Sequence, residues 1–441
     1  MRNARAVAGA ATALITALTA AACGGDGAPR SSAASAPASP SGPVTVEWWG
    51  WAPGYDKATA AWNASHPNIQ VKYTQVEPGG KGGYQKMLGA VKAGNAPCLA
   101  QVGAETMASF LIEGALEDVT DLVKDVNAKI QPWAVNTVTF GGRQFGVPVD
   151  TGPMGMFYRK DLFEKFKIEV PKTWDEFAAA AEKIHKADPE VFLTSFNPDD
   201  MYGFSGFAWQ AGARWFSTQG DAWQVNVADE PTLKVAGYWQ RLLDGKLVDV
   251  KPGWSDAWFK DFNDGKIASL VSAVWMTKVL EDSIPKTKGK WAVAPMPQWE
   301  AGRTVTGNVG GSPNAVLKGC AHPREAVEFA EWLSTDASAV DGLMADGGLF
   351  PAVTGAESSP GMRAGRSFYG DQPVFGTFAE SAKVVAPNFG WGPTTPALND
   401  AFVAEVGRAV TGGGTLTDAL KTVQEKAVAS MKGKGLNVSQ G

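Results

Sequence analysis

The chain has 441 residues, 44% of them hydrophobic, and a formal net charge of −5 without any Lys/Arg cluster, which excludes a protein that tracks nucleic-acid phosphates. At ~150 residues per domain, this length suggests two or three domains, each able to bury a real core. Three histidines leave little material for a triad or zinc site: His66 and His322 each precede a proline, and His185 falls in an amphipathic helical pattern.

Met1-Arg2-Asn3-Ala4-Arg5 precedes an apolar run over residues 6–22, broken only by Thr12, Thr16 and Thr19. Charge followed by an apolar stretch is the order of an export signal, and the run is too alanine-rich for a permanent span. After Cys23 comes Gly24-Gly25-Asp26-Gly27 and a Ser/Ala/Pro-rich stretch to Pro43, a linker composition that would wander ~25 Å as a coil. The segment Thr19-Ala20-Ala21-Ala22-Cys23 resembles a bacterial lipoprotein signal and departs from it at Ala20, where leucine is commoner. The resemblance implies a signal peptide over 1–22, a lipidated Cys23 and a linker over 23–43. An ordinary signal peptide with Cys23 incidental is the other reading, and stable anchoring would need two or more acyl chains.

From Val44, the alternation of Val44, Val46 and Trp48 with Thr45, Glu47 and Trp49 predicts a strand, and Ile69-Gln70-Val71-Lys72-Tyr73 predicts another, with a helix over 55–64 between them. Strand, helix, strand is the unit of parallel sheets. A helix over 84–92, a strand over 98–102, and helices over 106–111 and 119–126 continue the α/β alternation. The glycine-rich Gly79-Gly80-Lys81-Gly82-Gly83 lacks the Gly-Lys-Ser/Thr ending of a phosphate loop and reads as the entry to the next helix. Thr173-Trp174-Asp175-Glu176 has the form of a capping box, Pro323 suits a helix first turn, and helical periodicity returns over 416–431. Residues 291–294 predict a further strand.

Cys98 and Cys320 remain once Cys23 is set aside; in an exported chain they read as a disulfide or as two separately buried thiols. Of the 17 tryptophans, Trp174, Trp258 and Trp332 follow apolar helical periodicity and read as core. Trp49, Trp51, Trp215, Trp254 and Trp391 fall where loops are expected. They read equally as packing residues or as flat apolar faces for the C–H face of a sugar ring, with nearby carboxylates and amides for its hydroxyls. No local motif marks a pair of catalytic carboxylates.

The stretches Pro67-Asn68-Ile69-Gln70-Val71, Gly94-Asn95-Ala96-Pro97, Phe145-Gly146-Val147-Pro148-Val149-Asp150-Thr151, Phe157-Tyr158-Arg159-Lys160-Asp161-Leu162-Phe163, Pro171-Lys172-Thr173-Trp174, Asn263-Asp264-Gly265-Lys266-Ile267-Ala268 and Gly310-Gly311-Ser312 occur in an order and spacing that resembles the maltose-binding-protein-like extracellular sugar-binding proteins of ATP-driven importers. Cys98 is a departure, standing where that family usually has aspartate. The resemblance implies an α/β class II fold with a ligand cleft between two discontinuous lobes: residues 44–149 plus 307–350, and residues 150–306 plus 351–441, with hinges near Asp150 and Thr306. It implies a monomer that needs no cofactor and hands carbohydrate to the membrane permease of an ABC transporter. By position, the cleft would receive Trp49, Trp51, Glu105, Asp150, Trp215, Trp254, Trp275, Ser312, Phe350 and Trp391, with the aromatics stacking and Glu105, Asp150 and Ser312 hydrogen-bonding hydroxyls. Asp150 also reads as a hinge turn or strand-end cap, and Ser312 as a turn cap. Two rival classes are an exported glycan-cleaving enzyme, which would need two carboxylates with separated pKa values, and a binding protein for a peptide or osmolyte.

Overall fold

A computed structural model describes residues 42–220, 222–387 and 389–440. The export segment, Cys23 and nearly all of the linker lie outside the described residues.

The first strand, Val44–Gly50, alternates buried and exposed side chains up to Trp48 and pairs in parallel with Ile69–Gln75 through the helix Tyr55–Ser65. The sheet order is Ile69–Gln75, Val44–Gly50, Leu99–Gln101, Pro313–Val316, Gly146–Pro148. Pro313–Val316 runs antiparallel to both of its neighbours, so a segment far along the chain is threaded into the middle of the first sheet. Fully buried Trp48 fixes that insertion by donating Nε1–H to Asn314 Oδ1 at 2.9 Å. Cys98 and Cys320, flanking the same strand pair, form a disulfide with Cα atoms 4.4 Å apart.

A second sheet places Met154–Arg159 between Ser269–Ala273 and Trp291–Pro295, both antiparallel to it. Against it pack the helices Trp174–Ala187, Met201–Ala211, Glu230–Asp244 and Leu416–Gly433, whose buried faces share one core. Thr173 caps its helix, Oγ1 accepting from Glu176 N at 3.1 Å, while Glu176 Oε2 reaches back to Lys172 N, one residue before the cap. Helix Pro323–Thr335 begins at the expected proline and packs on the first sheet through Phe329 and Leu333.

The expected helix over 119–126 shrinks to Lys124–Asn127. Asp118 Oδ1 accepts from Thr120 N, and Val119 N donates to Gln144 O, so the groups that would have begun the helix are already committed elsewhere.

Three segments, around residues 149–154, 305–312 and 349–353, run beside one another. Asp150–Thr151 pairs with Phe350–Pro351, Thr306 bridges Val385, and Gly152 N donates to Asn308 Oδ1 at 2.8 Å. These strands approach closely because Gly152 has no side chain: a Cβ there would lie 1.8 Å from Val309 O. Near residue 350 the packing is shared, since Leu343 of helix Ala337–Gly347 joins the first lobe's core while Val340 and Met344 join another with Phe350. Among the described residues no helix is long and apolar enough to cross a membrane.

Candidate functional site

Where the hinge strands meet, the second lobe presents two tryptophans. Trp254 is 46% exposed, the only large aromatic exposed to that degree among the described residues. Its backbone sits at φ 60, a left-handed conformation that is costly for a bulky residue and persists only when its surroundings hold it. The turn is held by Gly253 N donating to Asp199 Oδ1 at 2.9 Å. Trp254 lies nearly parallel to half-buried Trp275, with centroids 5.6 Å apart and planes 27° apart. Trp275 in turn donates Nε1–H to Val309 O of the hinge at 2.8 Å. A flat aromatic surface is thereby fixed to the segment around Val309.

The first lobe contributes polar groups from the ends of its strands. Gln101, the last residue of the third strand, is buried; its Oε1 accepts from Trp51 N and Ala52 N, and its Nε2 donates to Ser312 Oγ at 3.1 Å. One amide thus positions both Trp51 and Ser312. Trp51 meets Tyr84 edge-on at 5.7 Å, and Tyr84 donates its hydroxyl to Glu105 Oε1 at 2.7 Å. Gly103 makes that contact possible, because a Cβ there would fall 2.1 Å from Glu105 Oε1. Asp150 is buried in the hinge and accepts from Ser312 N at 2.9 Å.

Burial raises both carboxyls: Glu105 above its ordinary range, and Asp150 to about 7, with the Glu105 charge adding to the latter. The folded value of Asp150 lies above its unfolded 3.8, so its contribution to stability is complete below that pH and is lost as pH rises through about 7. Asp150→Asn should therefore raise the melting temperature at pH 8 by a few degrees (about 1–2 kcal/mol) and leave it unchanged near pH 4. Scanning calorimetry at both pH values checks this; an equal difference at the two would contradict the burial explanation.

Trp391 is half-buried and joins Tyr202 at 5.9 Å. Burial raises the Tyr202 hydroxyl, and the nearby Glu105 charge raises it further. Contacts through Gln101 and Tyr84 join Trp51, Glu105, Asp150 and Ser312, Trp254 and Trp275 form a separate pair tied to Val309, and Trp391 neighbours Tyr202. Two expected members are corrected. Trp215 is fully buried and donates Nε1–H to Thr232 Oγ1 at 2.9 Å; it backs Trp391 from behind at 6.0 Å and has no face free for a ligand. Phe350 is 5% exposed, held in the hinge pairing and packed into a core. Trp49 lies within the first strand, its ring beneath Lys86 Nζ at 4.7 Å, and takes no part in the contacts joining Trp51, Tyr84 and Glu105. Gln101, Tyr84 and Tyr202 were not anticipated. Tyr202 had a local signal in the Asp200 cap, which accepts from Gly203 N at 2.8 Å and fixes the start of its helix. Among the described residues no group of His, Cys, Asp and Glu could hold a metal ion.

Two α/β lobes around hinge strands, with aromatic faces and hydrogen-bonding side chains at their junction, define a two-lobed solute-binding protein. The chain belongs to the bacterial extracellular solute-binding protein family, whose profile matches residues 33–340. The lactose-binding protein of Rhizobium radiobacter is 26% identical over 416 residues, spanning 89% of this chain and 94% of that protein. Among solved structures, the galacto-N-biose-/lacto-N-biose I-binding protein of the ABC transporter from Bifidobacterium longum, in complex with lacto-N-biose, is 32% identical with a TM-score of 0.83, covering 91% of this chain and 100% of that one. The ABC transporter associated binding protein from B. animalis subsp. lactis Bl-04, in complex with β-1,6-galactobiose, is 28% identical with a TM-score of 0.79 over 90% and 99% of the two chains.

Proposed function

We propose that this protein binds an extracellular oligosaccharide in the cleft between its lobes and delivers it to an ABC transporter. The observation that carries the reading is Trp254, an exposed aromatic held in a costly backbone conformation and stacked on Trp275, which is itself bonded to the hinge. Such a surface suits the C–H face of a pyranose. Glu105, Asp150 and Ser312 supply acceptors and a hydroxyl for its edges. Lobes 44–149 plus 307–350 and 150–306 plus 351–441 would close on the sugar, and closure would change the surface offered to the permease. Its curated and solved relatives named above are binding proteins, which favours capture over cleavage.

A thermal-shift screen of mono- and oligosaccharides tests the reading. A ligand selective for the folded form raises the melting temperature in proportion to its occupancy, and a panel without any shift would count against carbohydrate.

The chain would act at the outer face of the cell membrane as a monomer tethered by a lipidated Cys23. Replacing Cys23 with Ser should move the protein from the membrane pellet to the soluble fraction on cell fractionation. Retention in the pellet would remove the tether.

A further inference from the structure

Glu113 ends the helix Met107–Ile112, whose Met107 and Phe110 are buried in a core with Ala100 and Val102 of the first sheet's side. Lys434 ends the helix Leu416–Gly433, whose Val423, Ala427 and Met431 belong to the core against the second sheet. These residues, 321 apart in sequence, meet: Lys434 Nζ donates to Glu113 Oε1 at 2.8 Å. Of the ion pairs among the described residues, it is the only one that joins residues 44–149 or 307–350 to residues 150–306 or 351–441.

An exposed ion pair is ordinarily worth little, because two free side chains must be held to make it. Here both partners are held already. Lys92, from the helix Gly83–Ala93 in the same core as the Glu113 helix, donates to Glu113 Oε2 at 3.0 Å. Hydrogen bonds from Lys434 and Lys92 keep the Glu113 carboxyl below its ordinary range, so it is charged at neutral pH. Lys434 N donates to Ser430 O and Met431 O, and the strand Val438–Gln440 just beyond it pairs with Ala222–Val225. The pair also lies beside a cavity of about 430 Å³. Leu111, two residues before Glu113, lines that cavity, and so does Trp223, whose N donates to Asn437 O three residues after Lys434. Further walls come from Ala104 and Trp133 of one expected lobe and from Trp209 and Trp391 of the other.

We propose that Lys434 and Glu113 form an electrostatic latch, which engages when the lobes close and slows release of the ligand without touching it. The proposal rests on the reading that the lobes close on a carbohydrate. The probe is whichever of lactose, lacto-N-biose, β-1,6-galactobiose and maltotriose gives the largest thermal shift; all are uncharged, so salt acts on the protein alone. Stopped-flow tryptophan fluorescence gives the two rate constants. Lys434→Glu, which sets two carboxylates against each other, should speed dissociation about fivefold and leave association within about twofold. Lys434→Ala and Glu113→Ala should each speed dissociation about threefold, and the double variant no more than either alone. Raising the salt from about 0.02 to 0.5 M should speed release from the native protein and not from Lys434→Ala. The sugar-free melting temperature of these surface variants should stay within about 2 °C of native. A dissociation rate unchanged in Lys434→Glu, or single effects that multiply in the double variant, overturns the latch and leaves carbohydrate binding standing. Absence of binding by every sugar in the panel overturns both.

Discussion

Trp275→Ala should weaken oligosaccharide binding by roughly 30- to 100-fold, the effect of losing a central aromatic anchor worth about 2–3 kcal/mol. Two losses combine at this position. The face stacked on Trp254 disappears, leaving that exposed ring with Trp258 and Phe259 alone as aromatic neighbours, and so does the Nε1–H bond to Val309 O. Trp275→Phe separates them, since it keeps a face and removes the hinge bond; its affinity should fall between the two. Because Trp275 is only half-buried, the variant should remain folded, which a melting curve checks alongside calorimetry. An unchanged dissociation constant would show that the sugar lies elsewhere.

Replacing Cys98 and Cys320 together by alanine should have the largest effect on stability. The bridge closes a loop with a sequence separation of 222, for which the chain-entropy relation gives ~5 kcal/mol. Measured effects usually fall below that relation, so a loss of about 3–4 kcal/mol and a fall in melting temperature of about 4–5 °C are expected. Strand pairing of Leu99 with Val316 keeps the same segments together in the folded protein, so sugar affinity at 25 °C should change little. A melting temperature that is the same in the double variant would mean that the bridge contributes nothing under those conditions.

What the sequence made legible was local. The alternation over Val44–Trp48, the Thr173 cap and Pro323 each act within a few residues, and each element formed where expected. The tryptophans show where local reading ends. Trp215 and Trp254 both follow glycine-containing turns, yet one is fully buried and the other 46% exposed. Their difference is made by partners: Thr232 and Phe389 close over Trp215, while Trp254, with Trp258, Phe259 and Trp275 as aromatic neighbours, keeps nearly half its surface open. Gln101 went unnoticed for the same reason, since its role depends on Ser312 from the inserted strand region. The resemblance puts Phe350 in the cleft, whereas its strand pairing with Thr151 turns its side chain into a core.

Titration calorimetry of the native protein, Trp254→Ala and Trp391→Ala with the oligosaccharide that gives the strongest thermal shift bears most directly on whether carbohydrate sits in this cleft. Saturable binding to the native protein should weaken at least about tenfold in both variants, and equal affinity in all three proteins would contradict it.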